Sequence, residues 1–152
     1  MTRKVIGCDI GGVVRNMATF EPIRDSIESI NKLLESHDLI FISKCKESYK
    51  NSTIEWLKKY NLSHIPIFFC ETYKDKAQII KNNKVTTMID DKLAVLSNIP
   101  DIELIWFCDD LQKINGTKKY NPNVLNNILI MKDWNAVTEH LSWNVVTEHL
   151  SD

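Results

Sequence analysis

The chain of 152 residues lacks several things, and each absence narrows its range. No apolar run approaches the roughly 18 residues needed to span a bilayer, which excludes a membrane-spanning helix. Neither sign of charge dominates: the formal net charge is -1, so no overall field draws the protein to nucleic acid or to a membrane surface. The four cysteines, Cys8, Cys45, Cys70 and Cys108, form no CxxC pair and match no zinc-ligand spacing. They read as small apolar fillers of a reduced interior. Met1-Thr2-Arg3-Lys4 runs directly into a strand-like segment without a signal-peptide pattern. The expected compartment is therefore the cytoplasm. Glycine is scarce, four residues in all, and two of the four stand together as Gly11-Gly12.

That pair closes the most informative stretch, Val5-Ile6-Gly7-Cys8-Asp9-Ile10-Gly11-Gly12-Val13-Val14. A buried strand delivers one carboxylate, Asp9, to its C-terminal end and then turns sharply through two flexible residues. In open α/β sheets ligands bind at the carboxyl ends of the strands.

Five short runs rich in Ile, Val and Phe, at 4–10, 39–43, 65–70, 85–90 and 103–108, alternate with amphipathic stretches. Nearly continuous apolar runs are the mark of strands buried on both faces. Ile23, Ile27, Ile30 and Leu34 recur at helical spacing after Glu21-Pro22, and Ile54, Leu57 and Tyr60 make a second stripe ended by Asn61. Ala77, Ile79 and Ile80 lie in a third helix, and 93–96 follows Asp90-Asp91. Such alternation implies a parallel sheet with helices on both faces. The polar segment 109–123, with Gly116 and Pro122, reads as a loop, and 126–131 reads equally as a strand or a short helix.

The C-terminus repeats itself. Trp134-Asn-Ala-Val-Thr-Glu-His-Leu-Ser142 is followed by Trp143-Asn-Val-Val-Thr-Glu-His-Leu-Ser151. Nine residues at 100° each turn a helix by about half a revolution beyond whole turns. Trp134, Val137 and Leu141 thus form one stripe and Trp143, Val146 and Leu150 the opposite one, and only one can face the core. The expected division is an α/β domain over 1–133 and a helical segment over 134–152. A second copy of the chain is a candidate partner for the spare stripe. The duplicated His140 and His149 are not read as ligands.

Four chemical features fall at one edge of the expected sheet: Asp9, Ser43 at the end of the second run, Lys76 near the start of the third helix, and Asp90-Asp91 at the end of the fourth run. Together they suit phosphoryl transfer. A carboxylate can attack phosphorus, a magnesium ion held by carboxylates offsets charge, and a lysine, a hydroxyl and backbone amides hold the phosphate oxygens.

In this order and spacing the set resembles the haloacid dehalogenase (HAD) superfamily, mostly magnesium-dependent phosphatases on a Rossmann-like sheet. Its first motif, Asp-x-Asp-Gly-x-x after an apolar strand, is similar to Asp9-Ile10-Gly11-Gly12-Val13-Val14. Ser43, Lys76 and Asp90-Asp91 match the second, third and fourth motifs, with Lys74 competing for the third. The resemblance spans roughly residues 4 to 108. It implies a three-layer α/β sandwich with a mostly parallel five-stranded sheet. It makes Asp9 the nucleophile and, with the Gly11 carbonyl, Asp90 and Asp91, a magnesium ligand. Ser43 and Lys76 hold the phosphate, with Lys44, Arg15 and the Gly11-Gly12 backbone as its neighbours.

One departure matters. The family's second Asp, whose side chain is the general acid–base, is Gly11 here. The carbonyl remains and the acid is lost, a change worth about a hundred- to ten-thousand-fold in rate. The expected activity is a phosphomonoester hydrolase that is slow or biased toward good leaving groups, with a nucleotide or polynucleotide phosphate as candidate substrate. The alternative is a catalytically impaired relative that binds phosphate or a partner. The short segments between motifs leave room for a flap and single helices only, as in a capless member. Arg15, Lys44, Lys46, Lys74, Lys113, Lys118 and Lys119 lie in or near loops leaving the strands and suit an anionic substrate. Tyr49, Tyr73 and Tyr120 alone do not make a base-stacking platform. A receiver-type signalling domain is excluded, because the third run ends Phe69-Cys70-Glu71 without the required Asp.

Overall fold

The computed structural model describes the backbone of residues 3–151 and the side chains of residues 3–143. Six strands, β1 (Val5–Cys8), β2 (Asp38–Lys44), β3 (Ile67–Cys70), β4 (Thr87–Asp90), β5 (Glu103–Phe107) and β6 (Ile128–Met131), form one sheet in the order β3-β2-β1-β4-β5-β6. Every pairing is parallel. The helices between them are α1 (Ser26–Leu33), α2 (Lys50–Lys59), α3 (Tyr73–Asn82), α4 (Leu93–Leu96), α5 (Leu111–Tyr120) and α6 (Trp134–Ser151).

The pleat sorts strand side chains onto two faces. Leu39 and Phe41 join one core with Ile30 and Leu33 of α1, Trp56 and Leu57 of α2, and Trp134, Val137 and Leu141 of α6. Ile40 and Ile42 join the other, with Ile80 of α3, Val95 and Leu96 of α4, and Ile114 of α5. The result is a three-layer sandwich. The chain leaves β1 toward β2 and β3 on one side and returns to place β4 on the other, so the strand order reverses between β1 and β4. Ligand crevices of open α/β sheets lie at such a reversal, and Asp9 and Asp90 end the two strands that flank it.

Three expectations are corrected. The sheet has six strands, not five: the ambiguous segment 126–131 supplies β6, an edge strand whose side chains are only partly buried. Four apolar residues carry too little periodicity to separate strand from helix. Residues 109–123 are not a loop, because α5 occupies most of them. Its N-cap Asp110 accepts from the Lys113 amide at 3.1 Å, and Gly116 faces open space. An exposed helical glycine costs only about 1 kcal/mol. Finally, α1 begins at Ser26 rather than beside Pro22, since Pro22 forms an antiparallel bridge with Arg15 and Asp25 takes a left-handed φ of 64°.

The duplicated segment runs as a continuous helix. Trp134, Val137 and Leu141 of the first copy are buried, while Trp143 opens the second copy 67% exposed. Val146, His149 and Leu150 lie outside the residues whose side chains are described. The Trp134 indole donates to the Val13 carbonyl at 2.8 Å and its ring packs 5.7 Å from that of Phe107. No helix among the described residues is long and apolar enough to cross a membrane.

The first copy therefore carries the packing. Trp134→Ala is expected to cost about 3–5 kcal/mol in a denaturant titration, and Trp143→Ala less than about 1 kcal/mol. Equal losses would contradict the assignment of the core-facing stripe.

Candidate active site

The loop after β1 is built from its own backbone. The Ile10 carbonyl accepts from the amides of Val13, Val14 and Arg15, and the Gly12 amide donates to the Arg15 carbonyl at 2.9 Å. Val13 and Val14 are buried and anchor the turn in the core. Gly12 has a φ of 82°, a conformation that only glycine adopts without strain. A Cβ there would also collide with the Asp91 carboxylate. Gly11 is different: its φ is not left-handed, and a Cβ would meet only the flexible Met17 side chain, 2.9 Å from Sδ. Met17 thus lies over the position where the resemblance places a general acid.

Asp9 closes β1, its amide bonded to the Ile89 carbonyl at 3.0 Å. Asp90 closes β4 and is fully buried. Lys76 reaches in from the first turns of α3, whose N-cap Thr72 accepts from the Asp75 amide at 3.2 Å. Its ammonium donates to Asp9 Oδ1 at 3.2 Å and to Asp90 Oδ2 at 2.8 Å. The other Asp90 oxygen accepts from the Lys92 amide at 3.0 Å. Lys76 rather than the exposed Lys74 makes these contacts.

The buried Lys76 ammonium sits between Asp9 and Asp90, and the exposed Lys92 ammonium acts on Asp91 and Asp9. Burial, then the charge of Asp90, pushes the Asp9 carboxyl from 3.8 up to about 8. The same two causes raise Asp91. Asp9 and Asp90 hold the Lys76 ammonium well above its usual range despite burial. Burial and mutual repulsion of the acids thus raise the proton affinity of the cluster. The Asp91 Oδ1 is buried with no hydrogen-bond partner, and carboxylate oxygens of Asp9, Asp90 and Asp91 lie within 4.8 Å of one another. An orphaned buried oxygen among hard oxygen donors fits a divalent cation such as magnesium.

These residues sit at the floor of a cavity of about 1040 Å³. Asp9, Gly11, Arg15, Ser43, Lys44, Lys76 and Asp91 line it. Asp90 sits behind, joined through Lys76. Of the basic residues expected near this edge, Arg15, Lys44 and Lys46 line the cavity, whereas Lys74, Lys113, Lys118 and Lys119 do not. Lys92 also lines it, with its ammonium 3.4 Å from the Tyr73 hydroxyl. The sequence reading missed Lys92, and it missed the apolar wall of Met17, Phe20 and Trp56 beside Tyr49 and Tyr73. Trp56 carried no local signal, since at helical spacing it reads as core, and its indole indeed pins the flap by donating to the Phe20 carbonyl at 2.6 Å. The four cysteines are free thiols.

No protein-family model matches the chain, and no curated protein sequence matches it. Among solved structures, D,D-heptose 1,7-bisphosphate phosphatase from Burkholderia thailandensis superposes with a TM-score of 0.66 at 13% identity, over 91% of this chain and 98% of that one. A haloacid dehalogenase-like hydrolase from Burkholderia xenovorans gives 0.64 at 7% identity, over 91% and 96%. The chain shares its fold with these two proteins. Escherichia coli ADP-heptose LPS heptosyltransferase II also superposes, with a TM-score of 0.57 at 15% identity, over 97% of this chain and 48% of that one. The same layered sheet occurs in a transferase, so chemistry must be argued from the site. The segment between Asp9 and Ser43 holds, beyond the loop after β1, only α1 and the start of β2.

The Asp9 shift fixes a sign. With a folded pKa of about 8 against an ordinary 3.8, the metal-free folded state binds more protons than the unfolded one, so this contribution is full below about 4 and is lost as pH rises through about 8. Melting of EDTA-treated protein should show stability falling between about pH 5 and about pH 8, with the slope reduced in Asp9→Asn. A slope equal in both proteins would contradict the shift.

Proposed function

We propose that the protein is a magnesium-dependent phosphomonoester hydrolase that works through an aspartyl-phosphate at Asp9. The observation that supports this most is the Lys76 ammonium held between Asp9 and Asp90, 3.2 and 2.8 Å away, beside the unpartnered Asp91 Oδ1. The fold likeness to HAD-like hydrolases supports the hydrolase class.

In this reading Asp9, Asp90, Asp91 and the Gly11 carbonyl hold the cation. A bound magnesium ion supplies charge neutralisation at the phosphoryl oxygens and lowers the proton affinity of Asp9. Lys76 keeps Asp9 in line and offsets charge on the transferring group. Ser43, Lys44 and the Gly11-Gly12 backbone bind the phosphate oxygens, with Arg15 on the wall beside them. An Asp9 oxygen attacks phosphorus, the leaving oxygen departs with the bonding electrons, and water then attacks the acyl phosphate at phosphorus. Gly11 offers no proton to the leaving oxygen. The basic and aromatic lining supports a nucleotide or polynucleotide phosphate as substrate, and the free thiols support a reducing compartment such as the cytoplasm.

A second reading, a phosphate-binding protein without turnover, is favoured by one observation: Met17 lies over Gly11, where the acid would be. Hydrolysis of p-nitrophenyl phosphate with and without magnesium separates the two. The wild type should turn over only with the metal, and Asp9→Asn should lose at least about a thousandfold in kcat. Turnover that survives in Asp9→Asn would overturn the nucleophile assignment, and phosphate binding without turnover would favour the second reading.

Gly11 makes a further expectation concrete. Its backbone accepts a side chain once Met17 swings aside, so Gly11→Asp should raise hydrolysis of alkyl phosphates by about a hundredfold, the lower end of general-acid effects. Glu47 and Glu71 line the cavity as well. A proton donor among them would leave Gly11→Asp without effect on alkyl esters, and that result would contradict the missing-acid account.

A further inference from the structure

Arg15 lines the cavity, and no carboxylate among the described residues pairs with it. Its guanidinium lies 5.4 Å from the Phe20 ring centre and 5.5 Å from that of Trp56, and its Nε is buried with no hydrogen-bond partner. No carboxylate is among the groups that act on it: burial lowers its proton affinity and only Cys45 opposes that. A guanidinium stays charged under such conditions, so a cation is held on the wall of the site with its buried Nε donor unpaired.

The surrounding flap holds it there. Asn16 accepts from the amides of Ala18 and Thr19 at 2.8 and 3.2 Å, the Asn16 amide donates to the Glu21 carbonyl and the Phe20 amide to the Asn16 carbonyl, and Trp56 ties the Phe20 carbonyl to α2. The Gly12–Arg15 backbone bond turns the chain so that Arg15 pairs alongside Gly11. The Arg15 backbone therefore pairs beside the position from which a proton donor is missing, and both residues line the same cavity.

A leaving oxygen can be stabilised by a proton or by a fixed positive charge. An alkoxide needs the proton. A phosphate or carboxylate leaving group does not, and its two oxygens match the planar fork of a guanidinium. Resting on the phosphoryl-transfer reading above, we propose that Arg15 is the specificity-determining residue of this site, receiving an oxyanion leaving group, and that the substrates it favours are phosphoric or mixed carboxylic–phosphoric anhydrides. The Asp9 carboxylate forms a bond to the terminal phosphorus as the bridging P–O bond breaks. The electron pair leaves on the bridging oxygen as a phosphate or carboxylate anion paired with Arg15. Water then attacks the acyl phosphate at phosphorus, its P–O bond to Asp9 breaks, and Asp9 is regained as a carboxylate with both water protons on the released dihydrogen phosphate.

The test compares kcat/KM for acetyl phosphate, ADP and phenyl phosphate, with magnesium, in the wild type, Arg15→Gln and Arg15→Lys. Ratios within one variant do not depend on the fraction folded. In Arg15→Gln the ratio of anhydride to phenyl phosphate should fall by about ten- to a hundredfold, the effect of a lost charge-assisted hydrogen bond, and Arg15→Lys should recover part of it. A fall confined to ADP assigns a phosphate leaving group, and one confined to acetyl phosphate a carboxylate. An unchanged ratio with turnover still dependent on Asp9 overturns the role of Arg15 and leaves the phosphatase reading standing. Turnover of none of the three, or turnover that persists in Asp9→Asn, overturns both.

Discussion

The buried clasp of Lys76 on Asp9 and Asp90 is the interaction on which this site depends. Three elements that are remote in sequence, the ends of β1 and β4 and the first turns of α3, meet at a single ammonium. Removing one partner from a buried charged cluster is strongly destabilising, because the remaining charges stay out of water. The cluster is nonetheless unbalanced, with three carboxylates set against the buried Lys76 and the exposed Lys92, and an orphaned oxygen on Asp91. That imbalance raises the proton affinity of Asp9, and three clustered carboxylates with an unpaired oxygen suit a divalent cation.

The rest of the fold serves to hold the clasp in register. Gly12 brings the backbone against Asp91 in a conformation that another residue would not tolerate. Val13 and Val14 bury the far side of the same turn, and the Trp134 indole of α6 bonds the Val13 carbonyl. The C-terminal helix is thus linked to the loop after β1 by a packed chain: core stripe of α6, loop backbone, carboxylate. The Trp106 indole does similar work on the other side by donating to the Asp91 carbonyl at 3.1 Å. Aromatic donors from both faces of the sheet fix the backbone that carries the acids.

Much of this was legible in the sequence, for physical reasons that differ by element. The central strands were readable because burial on both faces makes them continuously apolar, and Asp9 and the Asp90-Asp91 pair stood out as acids at their ends. The choice between Lys74 and Lys76 was not readable, since it depends on which side of α3 meets the sheet. The half-turn offset of the repeated C-terminal segment was readable from helix geometry alone, but which copy packs inward was not. The sixth strand escaped because β6 is four residues long and half exposed, and α5 because Gly116 and Pro122 resemble loop punctuation when the Asp110 cap is not recognised. The wall of Met17, Phe20 and Trp56 escaped for a deeper reason. It is assembled by a flap folding onto α2, a tertiary event with no periodicity to announce it.

The central claim is that Asp9 takes the phosphoryl group covalently. Acid-quenched peptide mapping tests it most directly: the protein is mixed with magnesium and an acyl phosphate, quenched during turnover, and its peptides weighed. The account predicts a phosphoryl group on the peptide carrying Asp9, absent in the metal-free control. Phosphate release with no phosphoryl on that peptide at any quench time, or with the group on another residue, would contradict it.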